Sequence, residues 1–133
     1  MVFKEVIEKV KIHKNLTLQI FATDLDIDAI EIARKGFFSK NIVNDVSPDR
    51  ISRFFTVEAE GYRLNTFIRE MVVFAPQNVI KDPPFTKLDI LSCRNMLIYM
   101  ESELQKKLIS LFSYSLRPGG ILLLGSAETL GSN

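Results

Sequence analysis

Four short, nearly unbroken apolar runs constrain this chain more than any other feature. They are Leu16 to Thr23 (LTLQIFAT), Met71 to Ala75 (MVVFA), Leu88 to Ser92 (LDILS) and Ile121 to Leu124 (ILLL). Runs of this kind read as strands apolar on both sides of the pleat, which suits a sheet covered on both faces rather than one half in water. Helix-patterned stretches separate them, and that alternation predicts an α/β fold with a mostly parallel sheet flanked by helices.

The helical stretches carry their own punctuation. Residues 1–15 place Val2, Val6 and Val10 among Lys and Glu, an amphipathic helix with a solvated basic face. Ile27 to Lys35 reads as a helix closed by Gly36 at the C′ position. Ser47 as N-cap and Pro48 at the first helical position start another, whose apolar face holds Ile51, Phe54 and Phe55. Phe54 to Val57 and Tyr62 to Leu64, separated by Glu58 to Gly61, read as a small hairpin, followed by a short helix from Asn65. After the Asp82-Pro83-Pro84 breaker and the third strand, Ser102-Glu103-Leu104-Gln105 has the form of a capping box. It opens a helix lined by Leu104, Leu108, Leu111, Phe112 and Leu116 and ended by Arg117-Pro118-Gly119-Gly120. With no internal repeat, the chain reads as one compact unit.

Composition removes several classes of function. Seventeen Lys and Arg against sixteen Asp and Glu, with no basic block, argue against nucleic acid as a partner. No apolar run reaches the roughly 18 residues of a membrane span, and the first 20 residues do not resemble a signal peptide. Cys93 is the only cysteine and His13 the only histidine, so neither a disulfide framework nor a dedicated zinc site is expected. The expectation is a reduced, cytoplasmic domain without membrane insertion.

In parallel sheets, ligands sit outside the carboxyl ends of the strands. Asp24 follows the first strand, Asn78 the second, and Cys93-Arg94-Asn95 the third. A carboxylate at Asp24 suits the vicinal hydroxyls of a ribose, or it caps its own turn; Asp26 and Asp28 are read as N-cap and first-turn residues. Acidic strand ends also occur in phospho-accepting receiver domains, but the supporting Lys on a late strand is not evident. Asn78 pairs with an adenine edge or serves as a turn residue. Arg94 forks onto a carboxylate or joins a loop salt bridge. Tyr99, in an otherwise apolar run, reads as a core tyrosine. Cys93 reads as a packed thiol rather than a nucleophile, and His13 as a surface residue.

The stretches IFATDLDIDAIEIARKG, MVVFAPQNVIKDPPF, LDILSCRNMLIYM and LRPGGILLLGSAETLG together resemble the C-terminal domain of CheR-type chemoreceptor methyltransferases, most closely the methyltransferase portion of CheB/CheR hybrid proteins. The resemblance runs from about Leu16 to the C-terminus. It implies S-adenosyl-L-methionine as cofactor, S-adenosyl-L-homocysteine as product and the glutamate side chains of a chemoreceptor cytoplasmic domain as substrate. It implies that Asp24 binds the cofactor ribose, that Asn78 and Val79 lie beside the adenine, that Cys93 and Arg94 line the cofactor, and that Tyr99 shapes the space around the transferred methyl. The helix and hairpin insertion at about 45–70, with its hairpin between Phe54 and Leu64, corresponds to the family's small β-subdomain, which in some members docks a receptor tail.

The family's glycine-rich cofactor loop, with its strand and helix, is expected upstream of Leu16. None of Gly36, Gly61, Gly119, Gly120, Gly125 or Gly131 recreates it. Residues 1–133 therefore read as a partial, Rossmann-like class I methyltransferase domain lacking the first strand of its sheet, inactive alone. Exposed strand edges suggest homo-oligomer formation. A non-catalytic remnant acting as an interaction module is the rival reading; an NAD-binding Rossmann domain is disfavoured because it also needs a glycine fingerprint.

Overall fold

The structure is a computed structural model that describes residues 1–10, 16–126 and 128. Where the sequence reads as one unit, the backbone gathers into two, Met1–Gln77 and Asn78–Asn133. The reason is pairing: each two-stranded parallel sheet closes within its own unit, and among the described residues no strand joins them.

The first unit opens with α1 (Val2–Val10), whose continuation to residue 15, with His13, lies outside the described residues. No residue of α1 is fully buried. Charge ties it to α3 (Pro48–Phe54) instead: Arg50 donates through Nε and Nη2 to the Glu5 carboxylate, both at 3.1 Å, and Arg53 donates to Glu8. β1 (Ile20–Asp24) begins four residues later than the apolar run and pairs in parallel with β5 (Val72–Pro76) from Ile20↔Val72 to Asp24↔Pro76. α2 (Ile27–Lys35) packs on both. Asp26 is its N-cap, accepting from the N–H groups of Asp28 (2.9 Å) and Ala29 (3.3 Å), as expected. Gly36 closes it in the left-handed conformation, φ 64°, where an L side chain is strained.

A strand absent from the sequence reading follows directly. β2 (Phe37–Ser39) joins β4 (Gly61–Leu64), which also pairs with β3 (Phe55–Glu58), giving a three-stranded antiparallel sheet. Gly61 is required there, because a Cβ would run into the backbone carbonyl of Phe38. Phe54, Phe55 and Ile68, from α4 (Thr66–Arg69), form the core of this unit.

The second unit pairs β6 (Leu88–Cys93) in parallel with β7 (Leu116–Leu124) around α5 (Ser102–Ser115). Leu97, Leu108 and Phe112 are its core, with Leu108 fully inaccessible. Two expectations fail here. β7 starts at Leu116, opposite Leu88, and Arg117–Gly120 bulges before Ile90↔Ile121 restores the register. Pro118 lacks an N–H and Gly119 has φ 81°, so the apparent helix stop is a strand irregularity. Ser102 is not the N-cap either. Glu101 is, and the Gln105 carboxamide, expected to complete the capping box, donates to the carbonyls of Leu97 (2.7 Å) and Met100 (3.0 Å).

Within its own unit and among the described residues, neither parallel sheet is covered on both faces. α2 lies over Ala22 and Phe74, while Phe21 and Val73, on the opposite side of the pleat, stay accessible. Leu122 and Leu124 face the second core, whereas Ile121 and Leu123 are 61% and 50% exposed. No helix among the described residues is long and apolar enough to cross a membrane.

The two caps give a direct contrast. Asp26→Ala removes two side-chain bonds to orphan N–H groups and is expected to cost about 1 kcal/mol in urea unfolding. Ser102→Ala removes none and is expected to stay within about 0.5 kcal/mol. Equal losses would mean that the cap assignment is wrong.

Candidate functional site

Asp24 sits at the carboxyl end of β1, exposed to solvent. The ladder with β5 runs regularly to its last pair, Asp24↔Pro76, where the Gln77 N–H donates to the Asp24 carbonyl at 2.8 Å. The Asp24 Oδ1 accepts from the N–H of Asp26 at 2.9 Å, so the side chain does cap its own turn. A carboxylate has room for about four hydrogen bonds, and this one does not exhaust it. Beside it lies a shallow hollow of about 250 Å³ between β1, β5 and α2, lined by Ala22, Asp24, Ala29, Ala33 and Phe74. Small alanines on the inner face of α2 leave that space.

The remaining expected site residues belong to the second unit. Asn78 begins a tight turn: its Oδ1 accepts from the N–H groups of Ile80 (3.0 Å) and Lys81 (3.2 Å), and its own N–H donates to the Asp82 Oδ2 at 2.7 Å. The turn role is therefore real, and it occupies the acceptor half of the amide. What Asn78 offers outward is its NH₂. Val79, next along, packs half-buried against the core of Leu97, Leu108 and Phe112.

Cys93 ends β6 and packs against that same core, so the structure brings Val79 and Cys93 to one cluster. Burial, and then the negative charge of Glu128, push its thiol pKa up. That is the chemistry of a packed thiol and the opposite of an activated nucleophile. Arg94 follows, exposed, and among the described residues it joins no ion pair; the loop salt bridge foreseen for it is not there. Asn95 adopts φ 59°, a left-handed turn that Asn tolerates. Tyr99 is 83% exposed. The expectation of a core tyrosine is overturned: Leu97 is the residue of this segment that turns inward, leaving Tyr99 at the end of the 3₁₀ turn Leu97–Tyr99 facing solvent.

Sequence reasoning assigned no role to Glu128. Its side chain, 9% exposed, accepts four backbone N–H bonds: Oε1 from Asn95 (2.6 Å) and Gly125 (2.8 Å), Oε2 from Met96 (3.1 Å) and Leu97 (2.7 Å). Gly125 is held closely, since a Cβ there would lie 2.5 Å from the Asn95 Oδ1. Burial opposes the charged carboxylate, but the four N–H donors outweigh it and hold the pKa below the ordinary value. The only sequence signal was the glutamate in GSAETLG, thirty-odd residues away from three of the four groups that it binds.

Comparison with known proteins bears on this arrangement. The family model for the CheR methyltransferase, SAM binding domain, matches residues 1–133. An uncharacterized 104.1 kDa protein of Rhodobacter capsulatus is 43% identical over 114 residues, 86% of this chain and 12% of that protein. A chemotaxis protein methyltransferase of Vibrio parahaemolyticus is 34% identical over 117 residues, 86% of this chain and 42% of that protein. One from Borreliella burgdorferi is 28% identical over 136 residues, 100% of this chain and 47% of that protein. The chain thus spans less than half the length of these relatives.

A pKa lowered on folding means that stability from the ionised Glu128 is fully present above its ordinary value of 4.5 and is lost as pH falls through the lower folded value. Amide protection factors at Asn95, Met96 and Leu97 are expected to fall over that window, and Glu128→Gln to remove the dependence. Protection that never falls over the acid range in which the unaltered chain stays folded would contradict the assignment.

Proposed function

The chain belongs to the CheR methyltransferase family, as its SAM-binding domain, and on that footing we propose that it serves methyl transfer from S-adenosyl-L-methionine to glutamate side chains of a chemoreceptor's cytoplasmic domain. The observation that carries this reading is Asp24: an exposed carboxylate at the carboxyl end of a parallel strand, with acceptor capacity left after its turn bond. Such a group fits the vicinal hydroxyls of the cofactor ribose through charge-assisted bonds. A cytoplasmic setting belongs to the same reading.

The other residues fit the cofactor in part. Asn78 contributes donors alone, because Ile80 and Lys81 hold its oxygen, so it addresses a ring nitrogen of the adenine rather than a donor–acceptor edge. Val79 gives an apolar wall against the second core. Arg94, exposed and in no ion pair among the described residues, is available to a carboxylate, and Tyr99 is exposed; on this reading its ring shapes the space around the transferred methyl. When bound, the cofactor supplies a methyl group activated by its sulfonium. A glutamate acceptor has an ordinary pKa near 4.3 and is anionic at neutral pH, so no general base is needed. What this chain adds is orientation and electrostatic placement.

These 133 residues contain no glycine-rich loop, and we read the isolated chain as binding-competent at most, without turnover. Titration with S-adenosyl-L-homocysteine by calorimetry tests the reading. Saturable one-to-one binding, weakened about tenfold or more by Asp24→Ala, is expected from the loss of charge-assisted bonds. Unchanged affinity in that variant removes Asp24 from the site. A folded chain that binds nothing favours an interaction module without a cofactor.

A further inference from the structure

We infer that Glu128 is a positioning residue of the cofactor site: its carboxylate fixes the backbone from which Arg94 and Tyr99 project, without itself touching the cofactor. The inference rests on the methyltransferase reading above and extends it to a residue that the reading leaves without a role.

The segment from Cys93 to Met100 is held by its backbone. Three successive N–H groups, those of Asn95, Met96 and Leu97, converge on one carboxylate. The left-handed turn at Asn95 makes such convergence possible, since alternating the hand of the backbone aims neighbouring N–H groups into one hollow. The same segment's carbonyls are held as well, those of Leu97 and Met100 accepting from the Gln105 carboxamide. Leu97 plugs the core. Arg94 and Tyr99 flank this clamp and are both exposed, so their placement depends on the backbone beneath them.

The chemistry selects a glutamate. A carboxylate only accepts, and its two oxygens serve four donors here without conflict. Glutamine would turn an NH₂ toward two of those N–H groups, leaving them unpaired in a nearly closed space. Gly125 completes the fit: it donates the fourth bond and leaves no Cβ to push Asn95 away.

The test compares Glu128→Gln with Gly119→Ala in the full chain. Gly119 has φ 81° and a Cβ added there would meet open space, so alanine strains β7 without touching the clamp. Two readouts are taken at a temperature where every variant is folded by circular dichroism: S-adenosyl-L-homocysteine affinity, and the limiting rate at which iodoacetamide alkylates the fully ionised thiolate of Cys93, the sole cysteine, reached at high pH so that the loss of the Glu128 charge does not itself alter the thiolate fraction. E128Q is expected to lose about tenfold in affinity and to alkylate several-fold faster, while G119A melts earlier with both readouts unchanged. Affinity within about twofold of the unaltered chain overturns the inference, whatever the thiol does. Affinity lost at an unaltered alkylation rate overturns it too, because the segment then has not moved. An unaltered chain that binds no S-adenosyl-L-homocysteine overturns the cofactor reading and the positioning role together; binding that survives in E128Q overturns the positioning role alone.

Discussion

A buried carboxylate with four N–H donors around it sets what the second unit can present to solvent. Glu128 is acceptor-only, and in Asn95, Met96 and Leu97 it finds three backbone donors with no helix or strand to satisfy them. Removing those groups from water is costly unless each is paired. The charge is therefore retained inside, with its pKa lowered against the pull of burial. Everything placed on the exposed side of that segment inherits its order. The first unit achieves the same end at Asp24 by a different route, in which the last ladder bond fixes the Asp24 carbonyl and its carboxylate closes the next turn.

How far the sequence could be read depended on whether a signal was local. The α2 boundaries, its Asp26 cap and the left-handed Gly36 were legible because each is decided within one turn of chain. Ser47 and Pro48 were legible for the same reason. Where a distant group intervened, local rules failed. Gln105 satisfies the Ser102 pattern, yet the carbonyls of Leu97 and Met100, at the start of the preceding 3₁₀ turn and just after it, outcompete it. Arg117-Pro118-Gly119-Gly120 has the composition of a helix stop, but α5 has already ended at Ser115 and Leu116 already pairs with Leu88, which composition does not say. β2 escaped notice because three residues, FFS, carry no period, and only β4 makes them a strand.

The candidate site divides along the same line. Positions at strand ends were legible, because a parallel sheet sends its chemistry there. Exposure was not. Tyr99 sits among apolar neighbours in sequence, and choosing which of Leu97, Ile98 and Tyr99 turns inward requires the 3₁₀ turn and its core contacts. Glu128 could not be singled out at all, since its partners are main-chain groups with no sequence signature.

The apolar run of β7 poses a problem of degeneracy. Ile121, Leu122, Leu123 and Leu124 are all hydrophobic, and two of the four point away from the core. Sliding this strand by one residue would exchange one apolar pair for the other, so hydrophobicity barely distinguishes the alternatives. What distinguishes them stands at the two ends of the run. At the start, Gly120 nestles against the Arg117 and Leu88 carbonyls; at the finish, Gly125 must arrive where the Glu128 carboxylate and Asn95 leave room for it. The same carboxylate that orders a surface segment thus acts as a ruler for strand alignment, rejecting the out-of-step sheet that a greasy, repetitive sequence would otherwise accept.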